Sequence, residues 1–148
     1  MSESRRSPPP PDPEQGRYRG RAVARRFVSP DGLTVLVGKN AVDNDLLTLE
    51  LAAPRDFWLH VAAESGSHVV VRNPENLDRL PRATLRFAAA LAARYSKARA
   101  GGRVAVHVAR RADVGKRRGA PAGEVTLARF ETVHASPAEA PAGEGDGG

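Results

Sequence analysis

The sequence has no cysteine, only 5% aromatic residues and no long apolar run. Without cysteine, the chain cannot form a disulfide, a Cys-ligated zinc site, an iron–sulfur cluster or a thiol nucleophile. No stretch approaches the ~18 consecutive apolar residues of a transmembrane helix. The first residues include two arginines but lack the apolar segment of a signal peptide. We therefore expect a soluble, cytoplasmic protein that has no membrane partner.

What the sequence has in excess is positive charge, and this charge is unevenly distributed. The net charge of the 148 residues is +6, but segment 17–136 alone carries +10. Segment 1–16, with five prolines, has a net charge of −1, and the glycine-rich segment 137–148 has −3. Most bases are arginines, which contact phosphates through two parallel hydrogen bonds. We predict one folded domain at 17–136 between disordered tails at 1–16 and 137–148. Its charge favours binding to a polyanion, with nucleic acid preferred over an anionic membrane.

The apolar pattern of segment 17–136 predicts an α+β fold, a single domain with a largely antiparallel sheet and two main helices. Strands are predicted at 21–28, 33–38, 57–61, 68–72, 103–110 and 124–135. A Ser-Pro-Asp-Gly turn at 29–32 joins the first two strands as a hairpin. Most of the other connections are also hairpin-like, which favours antiparallel pairing.

The two predicted helices differ in length and in surface. The first begins after Asn40, a good N-cap residue, and ends before Pro54. Its apolar residues at helical spacing are Val42, Leu46 and Leu49. The second helix runs from about 81 to 100, where two glycines stop it. It is amphipathic, with an apolar face for the core and a basic face outside.

Basic residues gather on the second helix and in the loop that follows the strand 103–110. If the helix packs along that strand, its basic face and the loop form one surface for a phosphate backbone. Such contacts position a nucleic acid without reading its bases. The candidate residues for these phosphate contacts are Arg86, Arg94, Lys97, Arg99, Arg110, Arg111, Lys116, Arg117 and Arg118.

The histidines permit a different hypothesis. His60 and His68 lie eight residues apart across a turn and close to Asp56 and Glu64, so a site of two histidines and one carboxylate for a metal ion is conceivable. The competing interpretation is that they are hydrogen-bonded residues of the sheet, and we favour it for them and for His107 and His134. We therefore predict no metal, no cofactor and no catalytic residues.

Several short motifs follow one another in order along the chain. They are GKNAVDNDLLT at 38–48, DFWLH at 56–60, GSHVVVR at 66–72, YSKAR at 95–99 and the basic stretch KRRGAPAGEV at 116–125. This succession resembles the RNA-binding domain of the NFACT family, the ribosome quality-control factors and their fibronectin-binding-protein-like relatives. The resemblance covers 21–133 and implies a free-standing copy of that domain. The polar residues of these motifs are Lys39, Asn40, Asn44, Asp45, Asp56, His60, Ser67 and His68.

The resemblance implies RNA binding in ribosome-associated quality control or tRNA metabolism. The expected partner is tRNA or rRNA, with the large ribosomal subunit as a further candidate. Two alternatives stay open: a small metal-dependent, RNA-directed enzyme using His60 and His68, and an adaptor that docks on translation or tRNA-modification machinery. For Asn40 we predict a helix cap, whereas Asn44 and Asp45 are equally compatible with a structural role and with RNA contact.

Overall fold

A computed structural model describes residues 7–141. In the described residues, four strands precede the first main helical segment, two lie between it and the second, and four follow the second. The strands are β1 (Arg17–Tyr18), β2 (Arg21–Ala22), β3 (Ala24–Val28), β4 (Thr34–Gly38), β5 (Phe57–Val61), β6 (Val69–Val71), β7 (Val104–Arg110), β8 (Val114–Gly115), β9 (Thr126–Leu127) and β10 (Glu131–Ala135). The helices are α1 (Ala41–Asp45), which continues as a π-helix (Leu46–Leu51), and α2 (Arg82–Arg94).

Six of these strands form one sheet in the order β10-β7-β5-β6-β4-β3, and every neighbouring pair is antiparallel. The pairs β1–β2 and β8–β9 form two small antiparallel ribbons beside it. The predicted α+β single domain with a largely antiparallel sheet is therefore confirmed. Among residues 7–141, no helix has the length and apolar character needed to cross a membrane.

The two faces of the sheet bury different partners, because successive side chains of a strand point to opposite sides. On the helix face, Phe57, Leu59 and their neighbours pack on the alanine-rich side of α2. On the loop face, Trp58 packs with Leu47 of the π-helix and with Val114. We use the names helix face and loop face below for these two sides of the sheet.

The start of α1 confirms the predicted cap, but its predicted apolar face is wrong. Asn40 Oδ1 accepts the backbone N–H of Asp43 at 2.8 Å. Val42, expected in the core, is 58% exposed, whereas Leu47 is fully buried. The π-helix explains the difference, since the N–H of Ala52 reaches back five residues to the carbonyl of Leu47 and shifts the helical register.

Helix α2 ends at Arg94, six residues before the predicted end. Beyond it the backbone pairs with the β5–β6 loop: Ser67 donates its N–H to the Tyr95 carbonyl, and Lys97 donates to the Ser65 carbonyl, both at 2.9 Å. Ser96 Oγ–H donates to a carbonyl of the last helical turn at 2.7 Å. Extended pairing thus replaces the last predicted helical turns and places Lys97 against that loop.

Ordered structure extends beyond the predicted limits of 17 and 136 at both ends. Pro13–Gln15 forms a 3₁₀ turn, and Arg72 donates to Glu14 at 2.9 Å and to Asp56 at 2.8 Å. Pro137–Glu139 forms a second 3₁₀ turn whose proline is buried. Segments 1–6 and 142–148 of the predicted tails lie outside the described residues.

Candidate nucleic-acid interface

Two adjoining clefts open beside the end of α2, the β5–β6 loop and the loop that precedes β9. The first has a volume of about 970 Å³ and reaches the start of α1. The second, of about 600 Å³, reaches the loop face of the sheet. They share the residues His60, Glu64, Ser65, Lys97, Gly123 and Glu124. Most of the family-motif residues therefore lie in or beneath one continuous groove.

Asn44 forms part of the first cleft and connects α1 to the β5–β6 loop. Its side-chain oxygen accepts the N–H of His68 at 3.1 Å, and its amide donates to the Gly66 carbonyl at 3.4 Å. Gly38 lies against it so closely that a Cβ there would come within 1.9 Å of the amide oxygen. Ser67 Oγ–H donates to the Gly38 carbonyl at 2.7 Å. These motif residues hold the cleft wall in place.

A buried chain of hydrogen bonds runs beneath the second cleft. Trp58 Nε1–H donates to Thr48 Oγ1 at 3.2 Å, and the Thr48 hydroxyl lies 2.8 Å from His68 Nδ1. His68 Nε2 lies 2.9 Å from the Gly123 carbonyl, which only accepts, so this nitrogen carries the proton. Burial lowers the pKa of His68 to about 4, and the ring is therefore neutral.

The predicted alternative of a metal site is not assembled. Both ring nitrogens of His68 are engaged, and His60 Nε2 donates to the Gly66 carbonyl at 3.2 Å. Asp56 lies at the far end of β5, where it binds Arg72. Across residues 7–141 there is no group of three His, Asp or Glu side chains that could hold a metal ion.

Lys116 and Asp45 hold the loop 116–124 against α1. Lys116 Nζ lies 3.2 Å from an Asp45 carboxylate oxygen and also donates to the carbonyls of Pro121 and Glu124. The other Asp45 oxygen accepts the N–H of Gly123 at 3.0 Å. Both side chains are therefore used to shape the groove wall.

Four more predicted RNA-binding arginines have partners within the protein. Arg110 lies over the Phe57 ring, 4.4 Å from its centroid, and donates to three backbone carbonyls. Arg111 donates to the Val114 carbonyl at 3.0 Å. Arg86 pairs with Glu139 at 3.3 Å, and Arg94 donates to the Pro141 carbonyl at 3.1 Å.

The remaining predicted bases are exposed. Lys97 and Arg99 lie on the wall of the first cleft, and Lys39 precedes its residue Asn40. Arg117 pairs with Glu124 at 3.3 Å, and Arg118 is exposed beside it. Within the part of the chain that the structure describes, Lys39, Lys97, Arg99 and Arg118 form no ion pair.

The predicted single surface of helix and loop is divided in the structure. Arg86 lies on α2, which packs on the helix face, whereas the loop 116–118 follows β8 on the loop face. It is the segment after α2, with Lys97 and Arg99, that meets the loop at the groove.

Two rings beside the second cleft were not selected by the sequence. Phe130 is 48% exposed, and its centroid lies 4.4 Å from that of His107. His107 lines the second cleft and pairs directly with His60 across β5 and β7. The signal for Phe130 in the sequence is an aromatic residue between two charged neighbours. We predicted that the strand 124–135 includes it, but in the structure Phe130 lies just before β10.

Comparison with known proteins places this geometry in a family. The family described as the NFACT protein RNA binding domain matches residues 24–129. The chain belongs to this family. The NFACT domain thus includes α1, α2, both cleft walls and every strand of the main sheet except β10.

The relatives of the NFACT domain include proteins named as Rqc2 homologs and one named for the ribosome quality control complex. The Rqc2 homolog RqcH of Bacillus subtilis is 40% identical over 115 residues, which cover 78% of this chain and 20% of that protein. RqcH of Streptococcus suis is 37% identical over 121 residues, 80% of this chain and 21% of the relative. The Drosophila melanogaster homolog of ribosome quality control complex subunit NEMF is 31% identical over 72 residues, 49% of this chain and 7% of the relative. The chain spans about a fifth of the length of the RqcH relatives.

A solved structure shares the NFACT fold. It is the C-terminal part of the fibronectin/fibrinogen-binding protein from Streptococcus suis, with a TM-score of 0.73 and 36% identity. The similarity covers 80% of this chain and 47% of that one.

Proposed function

We propose that this NFACT domain binds RNA as a non-catalytic module of ribosome-associated quality control. The observation that carries the proposal is the groove formed by the family motifs, with the unpaired cations of Lys97 and Arg99 on its wall. The net charge of +10 on segment 17–136 adds a general attraction for polyanions. Membership of an RNA-binding domain family gives that polyanion its chemical class.

The RNA in this proposal is tRNA or rRNA, and the large ribosomal subunit is a further candidate partner in the cytoplasm. Support comes from the relatives, whose names connect them to ribosome quality control. Of the predicted RNA-binding residues, we assign phosphate contact to Lys97, Arg99, Arg117 and Arg118. Arg86 lies on the other side of the sheet, and the half-buried Arg94, Arg110, Arg111 and Lys116 donate to backbone carbonyls within the protein.

The first prediction is that the full chain binds tRNA with a strong dependence on salt. Each phosphate neutralised in an RNA–protein complex releases counterions, which contributes roughly −0.7 to the slope of log affinity against log salt for a single strand. Fluorescence anisotropy with labelled tRNA and with an rRNA fragment, between low and physiological salt, gives this slope. No binding at low salt, or a slope near zero, contradicts the proposal.

Variants that remove positive charge from the groove wall test where the RNA binds. We expect the pair Lys97→Ala and Arg99→Ala to weaken binding of every RNA to a similar degree. The slope of log affinity against log salt should become shallower by the contribution of about one to two phosphates. The pair Arg82→Ala and Arg86→Ala is the matched control, because it also removes two positive charges from exposed side chains but lies on α2, on the other side of the sheet. Equal losses in both would mean that binding follows net charge and not the groove.

A further inference from the structure

The open end of the loop face presents a row of rings. Directly paired residues of neighbouring strands point to the same face of a sheet. His60 of β5 pairs with His107 of β7, and His107 pairs in turn with Thr132 of β10. Phe130 contacts the His107 ring, with centroids 4.4 Å apart and planes tilted by 46°, and it is half exposed. We call His60, His107 and Phe130 the ring platform.

The ring platform lies beside a part of the loop face that is already covered. Trp58 is stacked on His60, with centroids 5.8 Å apart and planes 15° from parallel, and it is 2% exposed. Gly123, in the loop before β9, and Leu127, in β9 itself, shield His68 and Trp58. All four of these side chains line the second cleft, but His60 and His107, unlike Trp58 and His68, are only half buried. One flat group in this cleft would extend a stack that already contains Trp58 and His60.

The charges of the two clefts differ in a way that separates phosphate from base. Both clefts are lined by Lys97 and by the carboxylates of Glu64 and Glu124. The first cleft adds Arg94 and Arg99 to its wall, whereas Lys97 is the single Lys or Arg of the second cleft among the described residues. The lining of the first cleft is therefore net positive and that of the second net negative. Burial lowers the pKa of His60, so its ring is neutral at pH 7. A neutral ring offers a π face to a base, whereas a charged imidazole would attract phosphate.

We infer that the ring platform stacks the bases of unpaired RNA nucleotides while their phosphates follow the basic wall of the first cleft. The inference deepens the proposed function and rests on it. Bases of a duplex are stacked within the helix, so only unpaired nucleotides can turn a base onto side-chain rings. Alternation of exposed rings with a basic groove is the arrangement by which proteins hold single strands. In the second cleft Glu64 and Glu124 outnumber Lys97, which disfavours phosphate and favours a base there, whereas Arg94 and Arg99 reverse this balance in the first cleft.

The test compares a labelled 12-nucleotide oligouridine with a blunt 12-base-pair RNA duplex on the full chain. Because stacking contributes substantially per base, we expect Phe130→Ala to weaken oligouridine binding about tenfold and to leave duplex binding within twofold. Phe130→Tyr, which keeps a ring, should restore binding, whereas Phe130→Leu should not. Val28→Ala is the matched control, since Val28 is a similarly exposed apolar residue on β3, the opposite edge of the sheet.

Trp58 gives an independent readout, because it is the single tryptophan of the sequence and lies against His60. Oligouridine should change its fluorescence in the unaltered protein, and the duplex should not. If Phe130→Ala or Phe130→Leu binds oligouridine as the unaltered protein does, the inference is overturned while the proposed function stands. If the unaltered protein binds neither RNA at low salt, the proposed function fails and the inference fails with it. Loss that is equal for both RNAs also overturns the stacking role.

Discussion

At the scale of single residues, the polar motif side chains act on the protein itself. Asn44 fills the space beside Gly38 and satisfies the buried N–H of His68. Asp45 accepts the Gly123 N–H and holds Lys116. A buried polar group without a partner costs about 1–3 kcal/mol, so these pairings specify one position for each loop. Of the two roles that the sequence left open for Asn44 and Asp45, the contacts favour the structural one.

The second cleft depends on a neutral His68, which predicts a defined pH dependence. The folded pKa of about 4 lies below the ordinary value of 6.5, so between these values the unfolded chain binds the extra proton. The contribution of neutral His68 to the free energy of unfolding is therefore fully present above pH 6.5 and is lost as the pH falls toward 4. The total loss is on the order of 3 kcal/mol. Denaturant unfolding at pH 7 and at pH 4.5 measures this difference.

His68→Gln is the variant that separates this histidine from other acid-sensitive groups. An amide has no titration here, so the variant should be less stable at pH 7 but lose less stability between pH 7 and pH 4.5. His60 shifts in the same direction and remains in the variant, so some dependence persists. An undiminished pH dependence in His68→Gln would show that His68 is not the responsible group.

At the scale of elements, the sequence predicted what local rules control. The Asn40 cap and the 29–32 turn depend on near neighbours, and both strands of that hairpin formed, β3 and β4. The buried side of the first helix was not predicted, because a π-helix changes the period on which the pattern rests. The end of α2 was missed for another reason: its last predicted turns pair with Ser65 and Ser67, thirty residues earlier in the chain.

The same limit applies to the candidate site. The motifs placed its residues near one another, but the pattern of bases did not show which side chains had partners. Lys116 and Arg118 are equivalent in the sequence, yet one is enclosed by three acceptors and the other is exposed. Phe130 and His107 meet only through the register of β7 with β10. Such pairings depend on tertiary contacts that periodicity does not contain.

The loop 116–124 should lose its order when Lys116 is replaced. Lys116→Ala removes an ion pair and two hydrogen bonds to carbonyls, so we expect a loss of about 1–2 kcal/mol and faster hydrogen exchange at the Gly123 amide. Arg118→Ala is the control, since it removes the same charge from an exposed side chain of the same loop. Equal exchange rates at Gly123 in the two variants would contradict a clamping role for Lys116.

At the scale of the whole molecule, the sheet separates two surfaces of different use. The helix face is closed by α2, which is itself bordered by the segment around Pro137 and Glu139. The loop face is only partly closed, and the groove lies at its open end. Bases on the two sides therefore cannot be added together as one binding surface, although they contribute to one net charge.

Both chain ends should contribute to stability as well. A chain restricted to 17–136 lacks Glu14, whose carboxylate faces Arg72 and whose carbonyl accepts from Arg26. It also lacks the buried Pro137. Arg72 is 13% exposed, so the loss leaves a largely buried guanidinium with Asp56 as its remaining carboxylate partner.

We therefore expect the chain 17–136 to be about 1–3 kcal/mol less stable than a chain of 7–141 and to melt several degrees lower. Thermal unfolding followed by circular dichroism compares the two. Glu14→Gln in the full chain tests the N-terminal part alone, because it removes the charge and keeps the backbone carbonyl in place. We expect this variant to account for less than half of the difference, since an exposed partner weakens an ion pair. Identical melting of 17–136 and 7–141 would mean that the end segments lie on the fold without stabilising it, and the predicted limits of 17 and 136 would then be the limits of the cooperative unit.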